Sequence, residues 1–321
     1  MSAGAGLVIE THGLTKRLGG RPVVNGVDLA VPRGSVFGFL GPNGSGKTTT
    51  IRILLGLAAA SSGEVRVLGE TIPKALSHVL PRIGALVEGP GFYPFLSGTA
   101  NLHRLDAADR FVSPATRRER VNTALERVGL SQAAGKKVGR YSLGMKQRLG
   151  IANALLTHRD LIVLDEPTNG LDPQGTREVR HLVRSLTEEG TTVFVSSHLL
   201  AEVEQICSHV AVLSAGTLVA QGSLAEVRDG GQARVRVLTP DTDHALRVLR
   251  ALGLTPDDGG ITPAFDHHRS ITAPLPDDVA PDRIVAELVA ADVRVGGFSV
   301  DHAGLEDLFV QLTGEGFDVV Q

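Results

Sequence analysis

From Leu7 to about Gly222, short apolar or β-branched runs alternate with longer segments whose apolar positions recur at helical spacing. That alternation predicts an α/β domain built on a mostly parallel sheet. Val36 to Leu40, Leu161 to Asp165 and Thr191 to Ser196 are the clearest buried strands. Each runs into a polar or glycine-rich turn, and open α/β sheets gather their ligands at those carboxyl ends. Ala211 to Leu213 and Leu218 to Ala220, joined by Ser214-Ala215-Gly216-Thr217, read as a hairpin that closes the domain.

The pattern breaks at Asp229-Gly230-Gly231, which reads as a linker between a domain over residues 1–228 and a second over 232–321. In the second, Ala233 to Leu238 alternates like a half-exposed strand, and Asp243 to Leu252 and Pro281 to Ala290 have helical spacing. Val293 to Val300 reads as strand and Gly304 to Thr313 as helix. The expectation is a small α+β domain of ferredoxin-like outline. Neither an internal repeat nor a low-complexity tract interrupts the chain.

Composition narrows the possibilities. At about 150 residues per domain, 321 residues agree with two domains. Lys plus Arg total 32 against 35 Asp plus Glu, a net charge of -3 that argues against a chain built to coat nucleic-acid phosphates. Cys207 is the single cysteine, so neither an internal disulfide nor a thiolate zinc cluster is available, and a reducing cytosolic setting fits. Met1 to Ile9 lacks the form of an export leader, and no apolar stretch is long enough to span a bilayer. Asp266, His267 and His268 lie in a polar stretch without metal-ligand spacing.

The chemistry concentrates after two of the predicted strands. Gly41-Pro42-Asn43-Gly44-Ser45-Gly46-Lys47-Thr48 follows the first strand and precedes the helical run Thr49 to Leu57, matching G-x-x-x-x-G-K-[ST] in the context that gives it meaning. Backbone N–H groups from Asn43 through Thr49 would cradle nucleotide phosphates, Lys47 would reach the β- and γ-phosphates, and Thr48 would ligate Mg²⁺. Leu161-Ile162-Val163-Leu164-Asp165-Glu166-Pro167 puts two acids at the exit of another strand. Asp165 suits the outer shell of the metal, and Glu166 suits orienting or deprotonating an attacking water.

Tyr141-Ser142-Leu143-Gly144-Met145-Lys146-Gln147-Arg148 opens a predicted helix running to about Thr157, and Ser142 stands 23 residues before Asp165. With this element the arrangement resembles the ATP-binding-cassette (ABC) family. The family's usual L-S-G-G-Q appears here as Tyr-Ser-Leu-Gly-Met, keeping the serine and the second glycine. The resemblance implies that Ser142 and Gly144 meet the γ-phosphate held by a second subunit, that Asn169-Gly170-Leu171-Asp172 crosses the dimer interface with Asp172 near the nucleotide, and that His198 contacts γ-phosphate. It also implies a P-loop NTPase fold with a RecA-like core and antiparallel and helical subdomains.

Two positions depart from the family pattern. Leu18, after Lys16-Arg17, stands where an adenine-stacking aromatic is usual, which predicts looser base discrimination unless Arg17 or Arg21 covers the ring. Glu88 stands where a glutamine usually touches Mg²⁺ and the attacking water, so it is expected as a metal ligand, with a solvated loop acid as the alternative. Phe92, Tyr93 and Phe95 follow closely and are expected either to face a membrane subunit or to fill the helical core.

The expectation is an ATPase that dimerises around ATP and Mg²⁺ and powers a separate transmembrane permease from the cytosolic face of the membrane, without nucleic acid. The tail Gly304-Leu305-Glu306-Asp307-Leu308-Phe309-Val310 is similar to the end of daunorubicin-type exporter ATPases. The alternative is a non-transport ABC ATPase acting on a nucleoprotein or other macromolecular complex.

Overall fold

The computed structural model describes residues 6–88, 91–229, 233–256, 261–264, 268–276 and 278–302. The helix expected over Gly304 to Thr313, together with Gly230, Gly231, Asp266 and His267, lies outside the described residues. The chain divides between Leu224 and Ala225 into two compact units.

The first unit opens with β1 (Leu7–Leu18), β2 (Arg21–Val27), β3 (Ala30–Pro32), β4 (Val36–Leu40), α1 (Lys47–Leu54), β5 (Ser62–Val67) and β6 (Glu70–Ile72). An antiparallel sheet runs β2-β1-β5-β6, with β3 also paired to β1. Only part of each strand is buried: in β5, Val65 and Val67 turn inward while Glu64 and Arg66 face out, the alternation of a sheet wetted on one side. Helix α1 starts at Lys47, earlier than the expected Thr49, and ends at Leu54 rather than Leu57. Gly56, with φ of 69°, takes the left-handed position that commonly stops a helix.

Next come α2 (Leu76–Val79), β7 (Ile83–Leu86), α3 (Gly98–Ala108), α4 (Arg117–Arg127), α5 (Leu143–Ala154), β8 (Leu161–Asp165), α6 (Pro173–Glu188), β9 (Thr192–Ser197), α7 (Leu200–Ile206), β10 (His209–Ser214) and β11 (Thr217–Ser223). The main sheet runs β11-β10-β4-β9-β8-β7, parallel from β10 to β7 with β11 as an antiparallel edge. Every residue of β4, β8 and β9 is buried, which is why those segments read as apolar runs rather than alternating ones. Phe37 and Phe194 sit side by side in register and stack at 5.7 Å between ring centroids. The expected hairpin is β10–β11, whose turn residues Ala215 and Gly216 both have positive φ, the turn that matches strand twist.

Helices α3, α4 and α5 pack against one another, and a buried acid joins α3 to α4. Asp106 on α3 receives hydrogen bonds from Arg117 Nε at 2.9 Å and from Arg120 Nε and Nη2 at 2.8 Å. Burial works to raise its carboxyl, but the bonds from Arg120 and Arg117 outweigh it and hold the group below the ordinary aspartate value.

The second unit contains β12 (Ala233–Thr239), α9 (Thr242–Ala251), β13 (Ile261–Pro263), β14 (Arg269–Pro274), α10 (Pro281–Ala290) and β15 (Gly297–His302); α8 (Leu224–Asp229) crosses the division. The sheet order β13-β14-β12-β15 with antiparallel neighbours is the ferredoxin-like βαββαβ arrangement. Its core joins Val235, Val237, Ile271 and Ala273 of the sheet to Ala245, Leu249, Ile284 and Leu288 of the helices. The last strand begins at Gly297 and not at the expected Val293. Val293 is buried in the same core from the loop after α10, so its apolar signal came from packing and not from strand pairing.

Candidate active site

Three adjacent parallel strands bring the candidate residues to one edge of the main sheet. The loop Gly41 to Gly46 follows β4, His198 follows β9, and Asp165 ends β8 with Glu166 next in the chain. Gly44 and Gly46 take φ of 80° and 104°, which lets successive N–H groups of the loop turn the same way. A Cβ at Gly41 would lie 2.4 Å from the Leu213 carbonyl oxygen, and one at Gly46 would lie 2.6 Å from that of Val23. Only glycine fits either position.

Lys47 opens α1 and is 6% exposed. Its Nζ donates to the carbonyls of Gly41 at 2.6 Å and Pro42 at 3.2 Å and stands 3.5 Å from Glu166 Oε1. Burial pulls this ammonium below the ordinary lysine value, while Glu166 and Asp165 work to keep it charged. Thr48 Oγ1 donates to Asp165 Oδ2 at 3.0 Å, and Ser196 Oγ donates to Asp165 Oδ1 at 2.5 Å. Glu166 has φ of 48°; its N–H donates to Ser196 Oγ at 3.0 Å, and its Oε2 is 2.7 Å from His198 Nδ1. The structure therefore brings Lys47, Thr48, Asp165, Glu166 and His198 together.

The side chains present fit both phosphate and Mg²⁺. Ser45 Oγ is buried within the loop with no hydrogen-bond partner, an orphan donor that an anion would satisfy. Thr48 hydroxyl and Asp165 carboxylate form a small oxygen donor set. Mg²⁺ takes one or two protein oxygens together with substrate phosphates and water. No cluster of three or more His, Cys, Asp or Glu able to hold a metal occurs among the described residues.

The remaining expected residues lie elsewhere. Ser142 caps α5, its Oγ accepting from Met145 N–H at 3.2 Å, which leaves the hydroxyl hydrogen free to donate. Gly144 is the second residue of that helix, and a Cβ there would come 2.9 Å from Leu171. Asp172 caps α6, with Oδ1 accepting from Gly175 N–H at 2.8 Å. These three line one hollow with Gly170, Leu171 and Gln174, and Lys47 is not part of its lining. Glu88 stands at φ of 53°, and its carboxylate pairs with Arg52 of α1, so the expected metal ligand is engaged by a cation. Leu18 is 53% exposed at the β1–β2 turn.

Of the aromatic run, Tyr93 and Phe95 are 47% and 63% exposed and touch edge to face, while Phe92 is half-buried. Tyr93 and Phe95 therefore do not fill the helical core. Asn101, buried on α3, shapes their loop by donating to the carbonyls of Tyr93 and Ser97 and accepting from Tyr93 N–H at 2.9 Å.

Two contributors escaped the sequence reading. Ser196, which ties Asp165 to Glu166, is a polar residue inside an apolar buried strand, and that contrast was an available signal. Arg52 gave none, since a lone arginine on a helix is ordinary.

A family model described as ABC transporter matches residues 24–169. The uncharacterized ABC transporter ATP-binding protein YhcH of Bacillus subtilis (strain 168) is 38% identical over 315 residues, 98% of each chain. The daunorubicin/doxorubicin resistance ATP-binding protein DrrA of Streptomyces peucetius is 35% identical over 312 residues, 97% of this chain and 93% of its own. Among solved structures, the ATP-binding cassette MJ0796, dimeric in a post-hydrolysis state bound to ADP and Pi, matches with a TM-score of 0.61 at 26% identity, over 67% of this chain and 98% of its own. With relatives of this identity matched along nearly the whole length, this chain belongs to the ATP-binding proteins of ABC transporters.

Proposed function

We propose that this chain is the ATP-hydrolysing subunit of an exporter of drugs or other small molecules, working as a homodimer on the cytosolic face of the membrane against a separate permease. The observation that carries the reading is the convergence of Lys47, Thr48, Asp165, Glu166 and His198 at the ends of three adjacent strands. Lys47 would exchange its loop carbonyls for the β- and γ-phosphates of ATP, a stronger charge-assisted contact. Glu166 would accept the proton of the attacking water. His198, already against Glu166 Oε2, would hold that carboxylate in place and reach γ-phosphate. Thr48 and Asp165 would hold Mg²⁺, which when bound neutralises developing phosphate charge.

Ser142 and Gly144 line a hollow that does not include Lys47. They would act on nucleotide bound by the second copy, the α5 N-terminus offering N–H groups and partial positive charge to γ-phosphate, while Asp172 would hold the facing turn. No helix among the described residues is long and apolar enough to cross a membrane, and the permease is proposed as a separate polypeptide. Tyr93 and Phe95, exposed and held by Asn101, supply a contact surface of the aromatic kind found in interfaces.

The test is purification of the tagged chain from membranes. A polytopic membrane protein whose ATP-dependent transport needs this chain should accompany the wild type and be lost with Phe95→Glu, while ATP binding stays. Recovery of the same complex with both proteins would remove Phe95 from the docking surface, and ATP hydrolysis without any membrane partner would favour the non-transport alternative.

A further inference from the structure

We infer that Arg52 is a positioning residue that holds the Glu88 carboxylate in reserve and competes with the catalytic metal for it. The inference rests on the proposed reading of Thr48 and Asp165 as the residues that hold Mg²⁺ and on the sequence expectation that Glu88 joins them, and it adds Arg52 as a second claimant for Glu88.

Strand β7 runs parallel to β8 with Leu86 level with Leu164. Val87 and Glu88 therefore leave the sheet at the same edge as Asp165 and Glu166. Carboxylates gathered at the ends of two neighbouring strands are stabilised by cations or hydrogen-bond donors. Lys47 stands by Glu166, Thr48 donates to Asp165, and Arg52 pairs with Glu88. Arg52 follows Thr48 by four residues on α1, so the two project from one face about 6 Å apart. Arg52 thus holds the Glu88 carboxylate on the face of α1 that also carries Thr48. Glu88 has φ of 53°, an unfavourable region for a residue with a Cβ, and such conformations cluster where side-chain direction matters.

The strength of the latch follows from exposure. The two side chains are 42% and 59% exposed, so the pair is weak and screened, and a divalent cation can win the carboxylate from it. The pair works as a threshold that raises the metal concentration at which Glu88 transfers.

The experiment titrates Mn²⁺, the EPR-visible stand-in for Mg²⁺, into the full chain carrying a non-hydrolysable ATP analogue. Arg52→Gln should tighten Mn²⁺ roughly two- to fivefold, the range an exposed ion pair supports. Arg52→Lys, which keeps charge and pairing, should stay near wild type and also controls for folding. Glu88→Gln should weaken Mn²⁺, and Arg52→Gln added to it should change nothing further. That dependence on Glu88 separates positioning from general charge, because loss of a nearby positive charge alone would tighten Mn²⁺ in both backgrounds. Unchanged or weaker binding in Arg52→Gln, or a tightening that persists beside Glu88→Gln, overturns the inference. The analogue's own affinity is read in the same samples: failure to bind it at all would overturn the underlying assignment of the site instead.

Discussion

Ser196 shows how much one hydroxyl organises. It donates to Asp165 and accepts from the N–H of Glu166, so it fixes the acid proposed to face the metal and the acid proposed to face water relative to each other. Ser196→Ala should leave ATP affinity close to wild type and lower kcat roughly tenfold or more, as loss of such supporting bonds commonly does; steady-state ATPase kinetics would check the split. Cys207 makes a different point. Burial, with Glu202 adding to it, pushes its thiol up to about 12 from an ordinary 9.0. The unfolded chain ionises above about 9 while the folded chain does not. Stability from this group is therefore full below about 9 and is lost progressively as pH rises toward about 12. Urea midpoints should fall more steeply from pH 8 to pH 10.5 in wild type than in Cys207→Ala, and iodoacetamide should label Cys207 only after unfolding.

At the level of elements, legibility tracked burial. Strands β4 and β8 have the bounds expected of them because all their residues are covered, and the phosphate loop and acid pair stood at their ends. The antiparallel strands β1, β2 and β5 were harder to see. Their residues are partly wetted, and the pairings of β1 with β2, β3 and β5 carry register shifts, which blur a period-two signal. Strands β13 and β14 were missed for related reasons. The first is only three residues long, and the second has a polar Ser270 buried beside Ile271. Helix α3 contributes what no pattern could give, a buried Asp106 whose partners Arg117 and Arg120 lie beyond the helix end. Asp106→Ala would strand both guanidinium groups without their acid and should destabilise the first unit by about 3 kcal/mol, near the lower figure for breaking a buried pair. Urea denaturation would measure it, and a loss under about 1 kcal/mol would mean that water replaces the carboxylate.

For the whole molecule, the proposed function gives one chain two separate halves of a nucleotide site. Lys47, Asp165, Glu166 and His198 would form one, and the hollow lined by Ser142, Gly144 and Asp172 would form the other. Two copies facing each other would complete two sites, which is why association, nucleotide and hydrolysis should be inseparable. Glu166→Gln exposes that link, because the amide keeps the carboxylate's shape but cannot take the water's proton. The decisive measurement is size-exclusion chromatography with light scattering on Glu166→Gln with ATP and Mg²⁺. The expected result is a stable dimer of the 33.7 kDa chain with ATP retained and hydrolysis abolished. A monomer that hydrolyses ATP at nearly the wild-type rate would contradict it.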